Sequence, residues 1–293
     1  MTATRPINSN KGDVSRDHMK IIHCITFLGL VLATSVSAQV QISSLPQSSM
    51  VPGGVAVIPT EAEAESGEYR GQRILLADYQ GKQYAVIGIP LSVAPGSQRF
   101  SLRLADGREE TLQFTVTDKK YIEQHLTITN ERQVNPNAED MVRINRESAE
   151  MNRAFSSWND ELTPVFAMHA PVAGPRSSSF GLRRFFNEQP RSPHSGMDIA
   201  APEGTPIYAP APGVILTTGN YFFNGNTIIV DHGHGLISLY CHMNTIDVEP
   251  GTRIDTGDLI GKVGQTGRVT GPHLHWSINL NNTRVDPQLF LVD

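Results

Sequence analysis

Cysteine is nearly absent from this 293-residue chain, which has two, Cys24 and Cys241. A disulfide-held scaffold is thereby excluded, so stability must come from a hydrophobic core or a bound metal. Tryptophan is equally sparse, at two residues. Positive charge is in deficit, with 24 Lys and Arg against 29 Asp and Glu and a formal net charge of −5. No basic run offsets it, which argues against a nucleic-acid partner. Beyond residue 38 no apolar run is long enough to span a bilayer. Gly264, Gly267 and Gly271 lack the Gly-Lys-Ser/Thr ending of a phosphate loop, and no helix pattern follows them. What is present, 39% hydrophobic and 18% charged residues, suits a folded chain of one large or two modest domains.

The N-terminus reads as a leader. Ile21 to Val36 is apolar, preceded by Lys20 and followed by Val36-Ser-Ala38, a small-residue cleavage pattern. Residues 1–38 are expected to be a secretory signal cut after Ala38, with the product exported and carrying no transmembrane segment. The residues before Met19 are polar and charged, which leaves Met19 as an alternative start. Cleavage removes four basic and two acidic residues, taking the net charge from −5 to −7. It also removes Cys24, so Cys241 has no intramolecular partner. Cys24 lies inside the apolar run, away from the cleavage point, so no lipid anchor is implied.

Residues 39–120 alternate as short strands between turn signals: Val55–Ile58, Gln83–Pro90, Phe100–Leu104 and, after the Ala105-Asp-Gly107 turn, Thr111–Val116. A small N-terminal β domain is expected. Residues 121–164 form a helical connector. Asn135-Pro136-Asn137 is a start signal, with Glu139 and Asp140 in the first turn. Met141, Ile144, Ser148, Met151, Phe155 and Trp158 then follow at helical spacing, a stripe that packs on the protein itself rather than on a coiled-coil partner. Residues 165–293 are rich in Gly, Pro and brief apolar runs, as compact β architecture requires. Val248 to Gly261 reads as strand, turn, strand.

The chemistry concentrates in that last segment. His194-Ser-Gly-Met-Asp198 is answered by His273-Leu-His275, together offering imidazoles and a carboxylate for a divalent metal. Pro193, Gly196 and Pro202 disfavour a helix, so His194 and Asp198 belong on a loop entering a strand. His273–Leu280 alternates: His273, His275, Ser277 and Asn279 share one face, while Leu274, Trp276, Ile278 and Leu280 go to the core. Either both histidines aim at one ion, or one binds while its neighbour stands beside the bound water. In Leu236–His242 the same alternation groups Ser238, Tyr240 and His242 on one face and Ile237, Leu239 and Cys241 on the other. Beside a metal, His242 would act as a general base or as an oxyanion donor. His125 and His169 lie outside any metal spacing. His232 and His234 flank a turn and read as structural, with His234 a candidate for the groove lining.

Taken together, His194-x-x-x-Asp198, Tyr240-x-His242 and His273-x-His275 resemble the lysostaphin-type (LytM-domain) zinc endopeptidases of bacterial peptidoglycan. Ser179-Phe-Gly-Leu-Arg183, Gly225-Asn226 with Asp231-His-Gly233, and Thr270-Gly-Pro-His-Leu-His-Trp276 are similar to that family too. The resemblance covers about residues 165–293. It implies a mainly β fold whose C-terminal catalytic domain is a β barrel-sandwich (a duplicated hybrid motif). It also implies Zn²⁺ held by His194, Asp198 and His275, with His242 and His273 as the unliganded catalytic pair. Peptidoglycan stem peptides would be the substrate and the periplasm the location, although secretion beyond it stays open. The N-terminal β domain and helix resemble Gram-negative members that cut the D-Ala–diaminopimelate link. A tyrosine that often precedes the first histidine ligand in the family has no counterpart here, where Glu188-Gln-Pro stands. No Glu follows a ligand histidine, so a histidine must serve as base. Two other readings remain: a non-catalytic activator of a cell-wall amidase, whose relatives typically lack the ligands, and a secreted lytic enzyme that cuts glycine bridges. No regulatory partner can be named from the residues.

Overall fold

The computed structural model describes residues 40–292; the expected signal sequence lies outside the described residues. Two four-stranded sheets form the N-terminal part. One runs Val40–Gln41, Leu75–Tyr79, Lys82–Gly88, Val55–Pro59, and the other Gln72–Arg73, Ala64–Tyr69, Gly96–Leu104, Glu109–Val116. The hairpin of the second shows why it forms. Phe100, Leu102, Leu104, Phe114 and Val116 alternate with exposed polar residues and bury one face against Ala56, Ala85 and Ile87 of the first sheet.

The first sheet is apolar on both faces. Its other side carries Val55, Leu75, Ala77 and Val86, which are 0% exposed and belong to the core cluster of the C-terminal part, with Trp276, Ile278, Leu280, Val285 and Phe290. The backbones meet closely there: a Cβ built on Gly88 would stand 2.6 Å from the Leu280 carbonyl oxygen, so only glycine fits.

The C-terminal part is a ten-stranded sheet. Its main path runs Arg176–Ser178, Met197–Ala200, His273–Leu280, Leu236–Ile246, Gly225–Asp231, Gly213–Tyr221, Arg253–Ile254. Leu259–Val263 joins Pro206–Tyr208 to Leu236–Ile246, and Thr283–Val285 pairs with His273–Leu280. Both faces of the central strands are covered. Leu274, Trp276, Ile278 and Leu280 enter the main core, as the alternation predicts. The opposite face meets the connecting helix through Phe155, Ile237, Leu239 and Cys241. Cys241 is free and buried, and burial pushes its thiol up to about 12.

The helix is Ala138–Phe155. Asn137 caps it: its side chain accepts from the Asp140 amide at 2.9 Å, and Asp140 accepts from the Asn137 amide at 3.3 Å, a reciprocal capping box. The expected stripe ran on to Trp158, but the helix ends three residues earlier. Ser156 bonds back to the Asn152 carbonyl at 2.9 Å, and Trp158 leaves the axis. Its ring lies 4.1 Å from the Arg73 guanidinium and 5.8 Å from His234, contacts that a continued helix could not reach. This packing also takes His234 away from the groove.

The connector holds two further elements that the sequence pattern did not reveal. Glu123–Leu126 pairs in parallel with Arg183–Phe186, and a short helix spans Glu131–Val134. Four-residue elements are too short to carry a readable period.

Candidate metal centre

Strand pairing explains how residues far apart in sequence meet. Met197–Ala200 runs antiparallel to His273–Leu280 with Asp198 opposite His275 and Ala200 opposite His273. Cross-strand partners point to the same face, so one pairing register places the carboxylate against the second imidazole. His194 arrives from the preceding loop, which passes tightly over that strand. A Cβ on Gly196 would stand 2.4 Å from Ser277 Oγ and 2.8 Å from His275 Cε1, so a larger residue would push the loop and His194 outward.

His194, Asp198 and His275 are all buried and each offers one ligand atom, all within 4.8 Å of one another. Asp198 Oδ1 lies 3.0 Å from His194 Nε2 and 2.8 Å from His275 Nδ1, and those nitrogens are 2.9 Å apart. The surrounding hydrogen bonds set the tautomers. His194 Nδ1 is 2.7 Å from the Ser179 carbonyl oxygen. A carbonyl only accepts, so Nδ1 carries the proton and Nε2 keeps its lone pair. His275 Nε2 is satisfied by the Ser277 hydroxyl at 2.9 Å, which leaves Nδ1 for the centre. The second oxygen of Asp198 accepts from Arg184 Nη2 at 3.0 Å. Each ligand atom is thus free on the inside and anchored from behind, as outer-shell partners orient metal ligands. Two neutral imidazole nitrogens and one carboxylate oxygen fit a zinc ion with an open fourth position.

Burial opposes ionisation of Asp198, but its close contacts with His194 and His275 outweigh it and hold the carboxyl well below the ordinary carboxylate range. Burial also lowers His275 to about 4, so its ring is neutral at pH 7.

His242 and His273 border the same space. Their ring centroids are 4.9 Å apart, and His242 is 6.0 Å from His275. His242 Nδ1 donates to the Thr266 carbonyl at 2.9 Å, and His273 Nδ1 to the Gly271 carbonyl at 2.8 Å. Both are left with an Nε2 lone pair, and His273 Nε2 lies 3.8 Å from Asp198 Oδ1. Burial pushes His242 well below the usual imidazole value, reinforced by His275 and His273.

The route by which His242 gets there differs from the alternation reading. Ser238 and Tyr240 stand opposite Ile278 and Trp276 and point away from the His194–Asp198–His275 cluster, whereas Cys241 stands opposite His275. Strict alternation would send His242 with Tyr240. Instead His242 has φ +64, in the left-handed region, and the strand's pairing shifts register at this point. The bulge turns the ring back toward His273. The His242 amide is held by the Asn224 carbonyl at 2.8 Å, fixing the irregular backbone.

The centre opens into a groove of about 630 Å³ whose lining includes Phe223, Asn224, Arg184, Arg191 and Arg268. Leu126, Val134, Met141 and Ile144, from the connector and the first turns of the helix, form another wall. The motifs gave no sign of these residues, because none lies at ligand spacing. His232 is buried elsewhere: Nδ1 donates to the Pro212 carbonyl at 2.6 Å and Nε2 takes the Ser238 hydroxyl at 2.7 Å. His125 stacks on Phe185 at 4.6 Å, away from the metal ligands.

Comparison with known proteins places this architecture. The model of peptidase family M23 matches residues 192–287, and that of the family's N-terminal domain matches residues 48–119. A crystal structure of an M23 peptidase from Pseudomonas aeruginosa is 41% identical and superposes with a TM-score of 0.69. The match covers 83% of this chain and 95% of that one. The chain belongs to peptidase family M23. Among curated relatives it is similar to the peptidoglycan DD-endopeptidase ShyA of Vibrio cholerae, 42% identical over 103 residues, covering 35% of this chain and 24% of ShyA. It is also similar to the DD-carboxypeptidase/endopeptidase Mpg of Neisseria meningitidis, 40% identical over 111 residues, covering 38% and 26%. The matched segment spans about a quarter of each of these relatives.

Proposed function

We propose that this protein is a zinc-dependent endopeptidase that hydrolyses peptide cross-links of bacterial peptidoglycan at the D-Ala–diaminopimelate bond. In this reading residues 1–38 are a signal peptide, the protein works in the periplasm, and residues 165–293 carry the catalysis. The observation that carries it is the convergence of His194 Nε2, Asp198 Oδ1 and His275 Nδ1 beside two further imidazoles with committed Nδ1 protons. An amidase activator has no need of such a set. The D-Ala–diaminopimelate assignment is supported by the likeness to ShyA, a peptidoglycan DD-endopeptidase, and to Mpg, a DD-carboxypeptidase/endopeptidase.

Bound by these three ligands, zinc would polarise the scissile carbonyl and lower the pKa of a bound water toward about 7. His242, kept neutral by burial, accepts a proton at Nε2 and passes it to the leaving amine. His273, less buried, faces the same space and steadies the oxyanion once its own Nε2 is protonated. Arg184 keeps Asp198 ionised and oriented. Ser179, Ser277 and Thr266 hold His194, His275 and His242 in the tautomers that this division of labour requires, and the Gly271 carbonyl orients the His273 ring.

The test is digestion of purified sacculi by residues 39–293 with zinc, read by mass spectrometry. Cross-linked muropeptides should fall and tetrapeptide monomers appear, and a chelator should stop both. Unchanged sacculi together with stimulation of an amidase would replace this reading with the activator, and cleavage of pentaglycine alone would move the substrate to glycine bridges.

A further inference from the structure

Three guanidinium groups line the groove, and only one is neutralised. Arg184 is paired with Asp198. Among the described residues, Arg191 and Arg268 have no carboxylate within ion-pair distance. Their acceptors are all neutral. Arg191 Nη2 donates to the Val134 carbonyl at 2.9 Å, Gln189 Oε1 at 2.6 Å and Asn135 Oδ1 at 3.4 Å, and Nη1 to the Pro190 carbonyl at 3.3 Å. Arg191 Nε is buried with no partner. Arg268 Nη1 donates to the Gln133 carbonyl at 3.2 Å, and its guanidinium lies 4.2 Å from the Phe223 ring and 4.7 Å from the Phe186 ring.

A buried N–H without an acceptor is costly, and more so when it belongs to a charged group. Here it belongs to a cation beside other cations. Burial, then repulsion from Arg184 and Arg191, lowers Arg268 to about 10, so all three charges are felt at one place. Protein groups leave this positive potential uncompensated. A guanidinium fork presents paired donors that match a carboxylate, and charge-assisted bonds of that kind are about twice as strong as bonds between neutral groups.

We propose that Arg191 and Arg268 form a receptor for a substrate carboxylate lying next to the scissile amide. The proposal rests on the peptidase reading above and narrows it. In a D-Ala–diaminopimelate link, the carbon that bears the acylated nitrogen also bears a free carboxylate, so anion and scissile bond are separated by a single carbon. A glycine bridge has no such anion along its interior. Arg184 connects the two regions, because it grips the ligand Asp198 and is close enough to Arg268 to repel it. The Gln133 and Val134 carbonyls now hold the pair, and a carboxylate, the stronger acceptor, displaces them.

The test uses zinc-loaded protein and two non-cleavable ketomethylene analogues of D-Ala–diaminopimelate. One keeps the carboxylate next to the replaced amide, and in the other it is a carboxamide. Calorimetry should show the acid binding at least tenfold tighter than the amide. Arg191→Gln and Arg268→Gln should each erase that preference, weakening the acid about tenfold more than the amide. Equal binding of the two analogues by the wild type, a comparison that needs no variant, overturns the proposal. So do variants that weaken both analogues by the same factor, the signature of a merely structural role. Digestion of sacculi separates the two claims: cleavage without a carboxylate preference removes the receptor and keeps the peptidase, and a preference without cleavage does the reverse.

Discussion

His242 shows how much one backbone angle decides. Its φ of +64 costs a non-glycine residue of order 1 kcal/mol or more, and the strain is held by the Asn224 and Thr266 carbonyls. His242→Gln should retain zinc, because the three ligands are untouched, and should lower kcat by about 10²–10⁴; metal analysis alongside turnover checks both halves. His232 supports a pH prediction away from the metal. Burial lowers its pKa, whereas the unfolded chain titrates near the ordinary value of about 6.5. Below that pH the unfolded state binds the extra proton, so stability is full above about 6.5 and falls as the solution is acidified. Metal-free wild type should lose up to about 1.4 kcal/mol more per pH unit than His232→Gln across that acid window, measured by urea unfolding. Equal slopes would assign the acid sensitivity to other groups.

At the scale of elements, the helix Ala138–Phe155 steadies the hairpin beside the groove. Glu147 Oε2 accepts from the Phe222 amide at 2.7 Å and Oε1 from Arg143 Nε at 2.5 Å, while Arg143 Nη2 reaches the Asn220 carbonyl at 2.7 Å. Glu150 accepts from the Tyr221 hydroxyl at 2.7 Å. This hairpin supplies Asn224, the residue that pins His242. Glu147→Ala leaves the Phe222 amide without its acceptor and should cost about 1–3 kcal/mol. It should also lower kcat without loss of zinc, and circular dichroism melts with single-turnover assays read the two effects. The helix start was legible because a capping box is local chemistry, and strand His273–Leu280 because eight residues suffice for a period of two. Strand Glu123–Leu126 and helix Glu131–Val134 were not, since each draws its stability from packing against residues some 55–60 positions away.

Over the whole molecule, the sheet shared between the N-terminal and C-terminal cores makes the two parts mechanically dependent. Leu75 is fully buried in the C-terminal core although it lies in the N-terminal sheet. Leu75→Ala should cost about 2–5 kcal/mol and shift a single calorimetric transition for the entire protein. Two separate transitions, only one of them moved, would show the halves to be independent. The sequence alone determined the mainly β architecture and supplied the candidate ligand types, because periodicity, turn residues and metal-binding side chains are written locally. Only the tertiary structure decided which face His242 occupies, how Asp198 meets His275, and that Arg191 and Arg268 stand without anions in the groove. Those are matters of register, backbone strain and burial, which exist only once distant segments have packed.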